Sequence, residues 1–258
     1  MSAGTAMLQV SGLLMRFQGI TALDDVSFSI ERGAITSLIG PNGAGKTTLF
    51  NCITGMYTPT SGQVRFEGED ITGLAAHRVA RHGIARTFQN LALFGGLTVL
   101  ENLLVGDYLH GKSGLLQGAV LSPRARAEQR AALQAAHEVL AFLGMQDTAH
   151  LLPSELSYGR QKQVEFARAL MQKARLVLLD EPMAGMSQAE KTAMTGLIQR
   201  VRTQYSVTFL LVEHDVPVIM DISDKIVVLD FGRKIADGTP VEVQNNEAVI
   251  AAYLGTEH

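Results

Sequence analysis

The chain has 258 residues, a formal net charge of −3 and a single cysteine, Cys52. Hydrophobic residues make up 47% of it and charged residues 18%, which is enough for a sizeable core in one or two domains. The mild negative charge argues against a nucleic-acid partner, and one cysteine cannot form an internal disulfide. Neither a signal-peptide pattern nor an uncharged apolar run of about 18 residues is found. We therefore expect a cytosolic protein that reaches a membrane only through a partner.

The start of the chain has the apolar pattern of β-strands. Residues 7–17 and 22–30 are predicted to be two strands, and Val64 and Phe66 indicate another after a turn. Phe17, at the end of the first strand, has two interpretations. It is either a core residue or an aromatic face on which a nucleotide base stacks.

Residues 40–48 read Gly-Pro-Asn-Gly-Ala-Gly-Lys-Thr-Thr, between an apolar strand and a helix-compatible segment. The pattern matches the phosphate-binding loop G-x-x-x-x-G-K-[ST], in which glycines let backbone N–H groups curl toward phosphates. Lys46 can reach the β- and γ-phosphates, and the Thr47 hydroxyl can hold Mg²⁺. A plain glycine turn is the alternative, which the order strand, motif, helix disfavours. The candidate nucleotide-binding residues here are Gly40, Pro41, Asn42, Gly43, Ala44, Gly45, Lys46, Thr47 and Thr48.

The middle of the chain changes character after a loop that contains Gln89. Over residues 91–156 the pattern becomes helical and strands disappear, with a glycine-punctuated connector at 111–118. This block is predicted to be a helical subdomain inserted into an α/β core.

Acidic residues follow an apolar run at residues 175–180 that is typical of a parallel strand covered on both faces. Asp180 can bind Mg²⁺, and Glu181 can orient or deprotonate an attacking water. An Asp-Glu pair can also simply cap a sheet edge, but a phosphate loop upstream favours catalysis. His214, at the end of the next predicted strand, is either structural or a contact to the γ-phosphate.

Together these motifs resemble the ATP-binding-cassette (ABC) ATPases over nearly the whole chain. The resemblance implies that Phe17 stacks on adenine and that Gln89 touches Mg²⁺ and water and senses a transport partner. It implies that Asp180 is the metal-binding carboxylate, Glu181 the catalytic carboxylate and His214 the switch histidine.

A further match concerns residues 156–161, Leu-Ser-Tyr-Gly-Arg-Gln, which resemble the family signature Leu-Ser-Gly-Gly-Gln. Ser157 and Gly159 are retained, so the resemblance implies that they contact the γ-phosphate of ATP held by a second subunit. Tyr158 and Arg160 depart from the pattern.

The fold implied by the resemblance is α/β: a P-loop cassette with a mostly parallel core sheet, an antiparallel β subdomain and the helical insertion. The whole of residues 1–258 is expected to be one domain, in which 1–90 and 157–258 form the core and about 91–156 the helical part. ATP and Mg²⁺ are the expected cofactors.

A finer resemblance is to the longer ATPase subunit of branched-chain (hydrophobic) amino-acid importers. It rests on residues 86–90, 97–102, the segment around 111–123 and 252–255, and on Pro-Met-Ala-Gly-Met at 182–186, where many cassettes have Ser-x-Leu-Asp. It implies a second ATPase subunit, identical or related, two transmembrane permease subunits and, indirectly, a periplasmic or extracellular binding protein. The chain would then sit on the cytoplasmic face of the plasma membrane. A cassette for another solute, a non-transport cassette and a nucleotide-holding regulatory module are the alternatives.

Overall fold

The computed structural model describes residues 6–87, 91–107 and 123–254. Gln89, the connector at 111–118 and Gly255 lie outside the described residues. Within them no helix is both long and apolar enough to cross a membrane.

The smaller of two sheets has four antiparallel strands, in the order β2-β1-β4-β5. Its strands are β1 (Ala6–Phe17), β2 (Ile20–Glu31), β4 (Ser61–Phe66) and β5 (Glu69–Asp70). Apolar side chains on alternate positions of β1 and β2 are buried, as the sequence pattern predicts. The predicted strands and the antiparallel sheet are confirmed.

The larger sheet has six strands in the order β10-β9-β3-β8-β7-β6. These are β3 (Ile35–Ile39), β6 (Ile84–Arg86), β7 (Leu176–Asp180), β8 (Thr208–Val212), β9 (Lys225–Asp230) and β10 (Arg233–Gly238). All neighbours pair in parallel except β9 and β10. Because Leu38 and Asp180 both pair with Val212, the carboxyl ends of β3, β7 and β8 meet at one edge. The residues that directly follow these three strands therefore lie close together.

Nine described helices surround the sheets. They are α1 (Lys46–Ile53), α2 (Ala76–Arg81), α3 (Val99–Asp107), α4 (Pro123–Leu143), α5 (Tyr158–Met171), α6 (Gln188–Tyr205), α7 (Val216–Ile222), α8 (Pro240–Gln244) and α9 (Glu247–Leu254). Between β6 and α5 the described residues contain helices and turns but no strand, as expected for the helical block.

The core lies on both faces of the larger sheet, because successive residues of β7 belong to different hydrophobic clusters. Val177 and Leu179 pack with α3 to α6, whereas Leu176 and Leu178 pack with β1, β2 and α1. Burying each such side chain stabilises the fold by about 1.5–3 kcal/mol. Cys52 of α1 lies in the second cluster, and burial raises the pKa of its thiol to about 11.

Candidate functional site

The phosphate loop joins β3 to α1, and its glycines are required by its shape. Gly40 has φ 149°, and a Cβ there would lie 2.0 Å from the carbonyl oxygen of Leu229 in β9. Gly45, the residue before α1, has φ 100°. Residues with a side chain rarely adopt such backbone angles, so the loop reaches the start of α1 only with glycine at these positions. The first-turn N–H groups of α1 have no partners within the helix, and such a helix N-terminus after a glycine-rich loop is the arrangement that binds phosphate.

Lys46 lies within this loop. Its Nζ donates to the carbonyl oxygens of Gly40, at 2.6 Å, and Pro41, at 3.0 Å. Burial lowers the pKa of Lys46, while the negative charges of Glu181 and Asp180 act in the opposite direction. The two carboxylates are therefore close enough to influence the ammonium. This proximity is expected, because the carboxyl ends of β3 and β7 lie at the same edge of the sheet.

The remaining residues of the loop differ in exposure. Asn42 and Gly43 are exposed at its tip, Ala44 is buried, and the backbone carbonyl of Ala44 accepts a hydrogen bond from Gly232 at 3.1 Å. Thr47 is exposed and Thr48 half-buried in the first turn of α1. The Thr47 hydroxyl is thus accessible to a ligand.

Asp180, the last residue of β7, is buried and paired. Its Oδ2 accepts from Nη2 of Arg86 at 2.8 Å, and the other guanidinium nitrogen donates to Oδ1 of Asn51 at 2.6 Å. The backbone N–H of Asp180 donates to Oγ1 of Thr87 at 3.3 Å. Arg86 is a site residue for which the sequence analysis gives no role. It is the last residue of β6, a three-residue edge strand.

Glu181 follows directly and turns away from the strand with φ 47°, unusual for a residue with a side chain. Its backbone N–H donates to the carbonyl of Val212 at 2.9 Å, and its Oε1 lies 2.9 Å from Nε2 of His214. Such positive φ angles are held by their surroundings and concentrate at functional sites. The structure thus brings the predicted pair Glu181 and His214 into direct contact.

Glu213 is a second residue whose part in the site the sequence analysis does not identify. Its Oε1 accepts from the backbone N–H of Met183 at 2.8 Å, and its Oε2 from that of His214 at 3.1 Å. Burial raises its pKa, and the two N–H donors act in the opposite direction. One carboxyl group therefore fixes both the segment after Glu181 and the histidine that contacts Glu181. An acidic residue before His214 is the only sequence signal for it.

Phe17 lies at the end of β1 with 38% of its surface exposed, so it is not a core residue. Tyr57 meets it edge to face, with ring centroids 5.3 Å apart and an interplanar angle of 75°. Such a contact orients the ring, and its exposed surface is accessible to a planar ligand.

Ser157 and Gly159 occupy a different surface from the phosphate loop of the same chain. Ser157 caps α5, accepting at Oγ from the N–H of Arg160 at 3.4 Å. Both residues line an open cleft of about 570 Å³, whose lining contains no phosphate-loop residue. The chain therefore brings together the loop, Asp180, Glu181 and His214, while the signature turn faces elsewhere.

The C-terminal helix α9 also reaches the loop. Burial raises the pKa of the Tyr253 phenol, and a hydrogen bond to the backbone of Gly40 acts in the opposite direction. This hydrogen bond joins α9 to Gly40, the first residue of the phosphate loop.

Two protein-family models match this sequence. One, described as ABC transporter, covers residues 23–184, and the other, described as branched-chain amino acid ATP-binding cassette transporter, covers residues 233–258. The first contains the phosphate loop, Asp180 and Glu181. The second contains α9.

Known proteins similar to the chain match it over nearly its full length. The high-affinity branched-chain amino acid transport ATP-binding protein BraF of Pseudomonas aeruginosa is 45% identical over 96% of this chain and 98% of its own. The corresponding protein LivG of Escherichia coli is 43% identical with the same coverage. A solved structure, the ADP conformation of an ATP-binding cassette of an ABC transporter, aligns with TM-score 0.84 and 32% identity over 97% of this chain and 99% of that one.

Proposed function

Because this chain belongs to the ABC transporter family, we propose that it is the ATP-hydrolysing subunit of an importer for branched-chain or related hydrophobic amino acids. The substrate class is supported by the transport function after which BraF and LivG are named and by the family match of residues 233–258. The observation that carries the enzymatic part is the meeting of Lys46, Asp180 and the Glu181–His214 pair at one sheet edge.

ATP would bind with its phosphates on the N–H groups of residues 40–48 and its adenine on Phe17. Lys46 would move its hydrogen bonds from the loop carbonyls to the β- and γ-phosphates. The exposure of the Phe17 ring supports base stacking, which needs no specific hydrogen bonds.

In hydrolysis, a water oxygen attacks the γ-phosphorus while its proton passes to the Glu181 carboxylate. The bond from the γ-phosphorus to the bridging oxygen breaks, and ADP and inorganic phosphate are the products. His214 holds the Glu181 carboxylate through the 2.9 Å contact and would also contact the γ-phosphate. Lys46 balances charge that develops on the bridging oxygen.

Oxygen ligands suited to Mg²⁺ are present in the exposed Thr47 hydroxyl and the Asp180 carboxylate, so the donor set fits this hard cation. When bound, Mg²⁺ neutralises phosphate charge. The family resemblance implies that Gln89 would be a further ligand of Mg²⁺.

A complete site would use two subunits, because Ser157 and Gly159 lie apart from the phosphate loop of their own chain. We propose that they contact the γ-phosphate held by a second cassette, identical or related, with the N-terminus of α5 directed at the phosphate. ATP would close the pair, and hydrolysis would release it. This alternation would drive two permease subunits between inward- and outward-facing states.

We further propose that residues 91–156 act as a helical subdomain of one cassette domain and carry the contact to the permease. The chain would be peripheral on the cytoplasmic face of the plasma membrane, and a periplasmic or extracellular binding protein would deliver the solute to the permease.

The test combines purification from native membranes with transport. Tagged chain should co-purify with two permease subunits, and membrane vesicles containing the assembly should accumulate labelled leucine with ATP inside. Glu181→Gln, which keeps shape but removes the base, should abolish uptake and trap an ATP-dependent dimer on size-exclusion chromatography. Uptake of an unrelated solute would refute the substrate class. Recovery without any membrane subunit would refute the transporter assignment.

A further inference from the structure

Two places where the sequence departs from the family pattern lie against each other. Tyr158 stands in the signature turn, and Gly185 stands in the segment that follows Glu181. A Cβ on Gly185 would lie 3.2 Å from Cε1 of Tyr158 and 3.7 Å from Cδ1. The tyrosine ring therefore packs directly over the position where Gly185 has no side chain, and φ 75° at Gly185 favours glycine further.

A second contact joins the same two segments with the roles reversed. A Cβ on Gly159, next to Tyr158, would lie 2.3 Å from Oε1 of Glu190 in α6. Glu190 is itself fixed, because its Oε2 accepts from the N–H of Ser187 at 2.9 Å and from its hydroxyl at 2.8 Å. Each segment thus contributes a glycine that accommodates a side chain of the other.

The Tyr158 ring is also held from its own helix. Nζ of Lys162, one turn further along α5 and buried, lies 5.9 Å from the ring centroid, within the range of a cation–π contact. The ring therefore contacts both the lysine and Gly185.

The segment containing Gly185 is connected to the catalytic carboxylate. The N–H of Ala184 donates to the carbonyl of Glu181 at 3.2 Å, and the N–H of Met183 donates to Glu213. Through Glu213 this segment is bound to the backbone of His214 as well. A displacement of Gly185 would thus act on both residues that position the attacking water.

We propose that Tyr158 is a positioning residue that couples the two nucleotide sites of the assembled pair. This inference rests on the proposed function, in which Ser157 serves the site on the partner while Glu181 serves the site of its own chain. Contact of the signature turn with the partner's γ-phosphate fixes Tyr158, which fixes Gly185 and the backbone after Glu181. Each site is then competent only when the other is closed.

The test compares Tyr158→Gly, Tyr158→Phe, Gly185→Ala and the double variant Tyr158→Gly/Gly185→Ala in the assembled complex. The coupling predicts that turnover of the wild type depends on ATP in a sigmoidal way; Tyr158→Gly should make this dependence less sigmoidal and lower kcat about tenfold, within the range of couplings between sites. Its ATP affinity in the isolated subunit should be unchanged. Tyr158→Phe, which keeps the ring, should behave as the wild type.

Gly185→Ala should also lower kcat, because the added methyl group displaces the ring. In the double variant the two losses should not add, because both act through one contact. Tyr205→Gly is the matched control. It removes a tyrosine that is 48% exposed, compared with 44% for Tyr158, from the end of α6, and kcat should not change.

Several results would overturn the coupling role. One is a Tyr158→Gly variant with normal kcat and normal sigmoidicity whose melting temperature alone is lower. Another is weaker ATP binding by the isolated Tyr158→Gly subunit. The third is strict additivity of the losses in Tyr158→Gly and Gly185→Ala. Failure of the proposed function is recognised separately, because wild type and Lys46→Ala would then release phosphate at the same rate.

Discussion

Nε2 of His214 lies 2.9 Å from Oε1 of Glu181, although the two residues are separated by α6 and β8 in the sequence. The parallel pairing of β7 with β8 produces this contact, because each residue lies just beyond the end of its strand. His214→Ala should lower kcat about 10²-fold, because Glu181, the base, loses the contact that holds it. This is the lower end of what general acid–base catalysis contributes, and ATP affinity should be nearly unchanged. Phosphate release and equilibrium nucleotide binding measure the two effects.

The two residues should also behave as one unit. Glu181→Gln combined with His214→Ala should lose little more activity than Glu181→Gln alone, as for groups that act on the same step. Losses that multiply would show that His214 acts independently of Glu181.

Lys46→Ala should abolish productive ATP binding. The ammonium is the one side-chain cation of the loop, and it lies where two carbonyl oxygens hold it within reach of bound phosphates. Fluorescent-nucleotide titration and phosphate release measure the loss, and circular dichroism confirms that the variant is folded. Activity close to wild type in a folded variant would refute the assignment of the loop.

Phe17→Ala should weaken ATP binding by about 1–3 kcal/mol and leave kcat at saturating ATP nearly unchanged, because base stacking is lost but the chemistry is not. Phe17→Tyr is the control that keeps the ring. If affinity stayed the same while the melting temperature fell, Phe17 would be a packing residue only.

Arg86→Ala should destabilise the fold by about 3–5 kcal/mol, because it leaves the Asp180 carboxylate buried without its cation. Arg32→Ala is the control: its pair with Glu67 lies at the surface, where loss costs about 0–1 kcal/mol. Urea unfolding of the two variants gives the difference. Equal losses would mean that the Arg86–Asp180 pair is no more important than a surface ion pair.

The segment from Gln89 to Glu101 is expected to dock a permease subunit. Asn102, the residue after this segment, is fully buried and bonds the backbone of Phe94, Leu97 and Thr98, so the loop is held in a fixed shape. Phe94 is 50% exposed on this loop. Aromatic side chains are enriched at protein–protein interfaces, and this one follows directly on the loop of Gln89, which the family resemblance assigns to sensing the transport partner.

A photo-reactive phenylalanine analogue at position 94 should therefore cross-link to a membrane protein in native membranes. The same analogue at position 231, where the native phenylalanine is 86% exposed on the β9–β10 turn, is the control. Capture of a membrane protein from position 231 but not from position 94 would contradict the docking surface.

Local patterns were sufficient to predict most of the fold from the sequence. The alternation of β1 and β2, the continuous apolar run of β7 and the glycines of residues 40–48 each report their own environment. The capping box at Ser187 and Glu190 likewise marks the start of α6.

The missed features depend on contacts between distant segments. The strand β6 is three residues long and is defined by pairing with β7, so it has no periodicity of its own. Arg86 and Glu213 become site residues only because the parallel sheet places them beside Asp180 and His214. The packing of Tyr158 on Gly185 is likewise invisible in either segment alone, where each looks like an isolated departure from a pattern.

The burial of Cys52 has a practical consequence for measuring motion in this protein. Only a thiolate reacts with maleimide reagents, and a buried thiol with a pKa of about 11 is almost entirely protonated at neutral pH. It is also the one cysteine of the chain. New cysteines at exposed positions can therefore be labelled selectively without first replacing Cys52. Distances between two subunits can then be followed by fluorescence energy transfer as ATP is added and consumed.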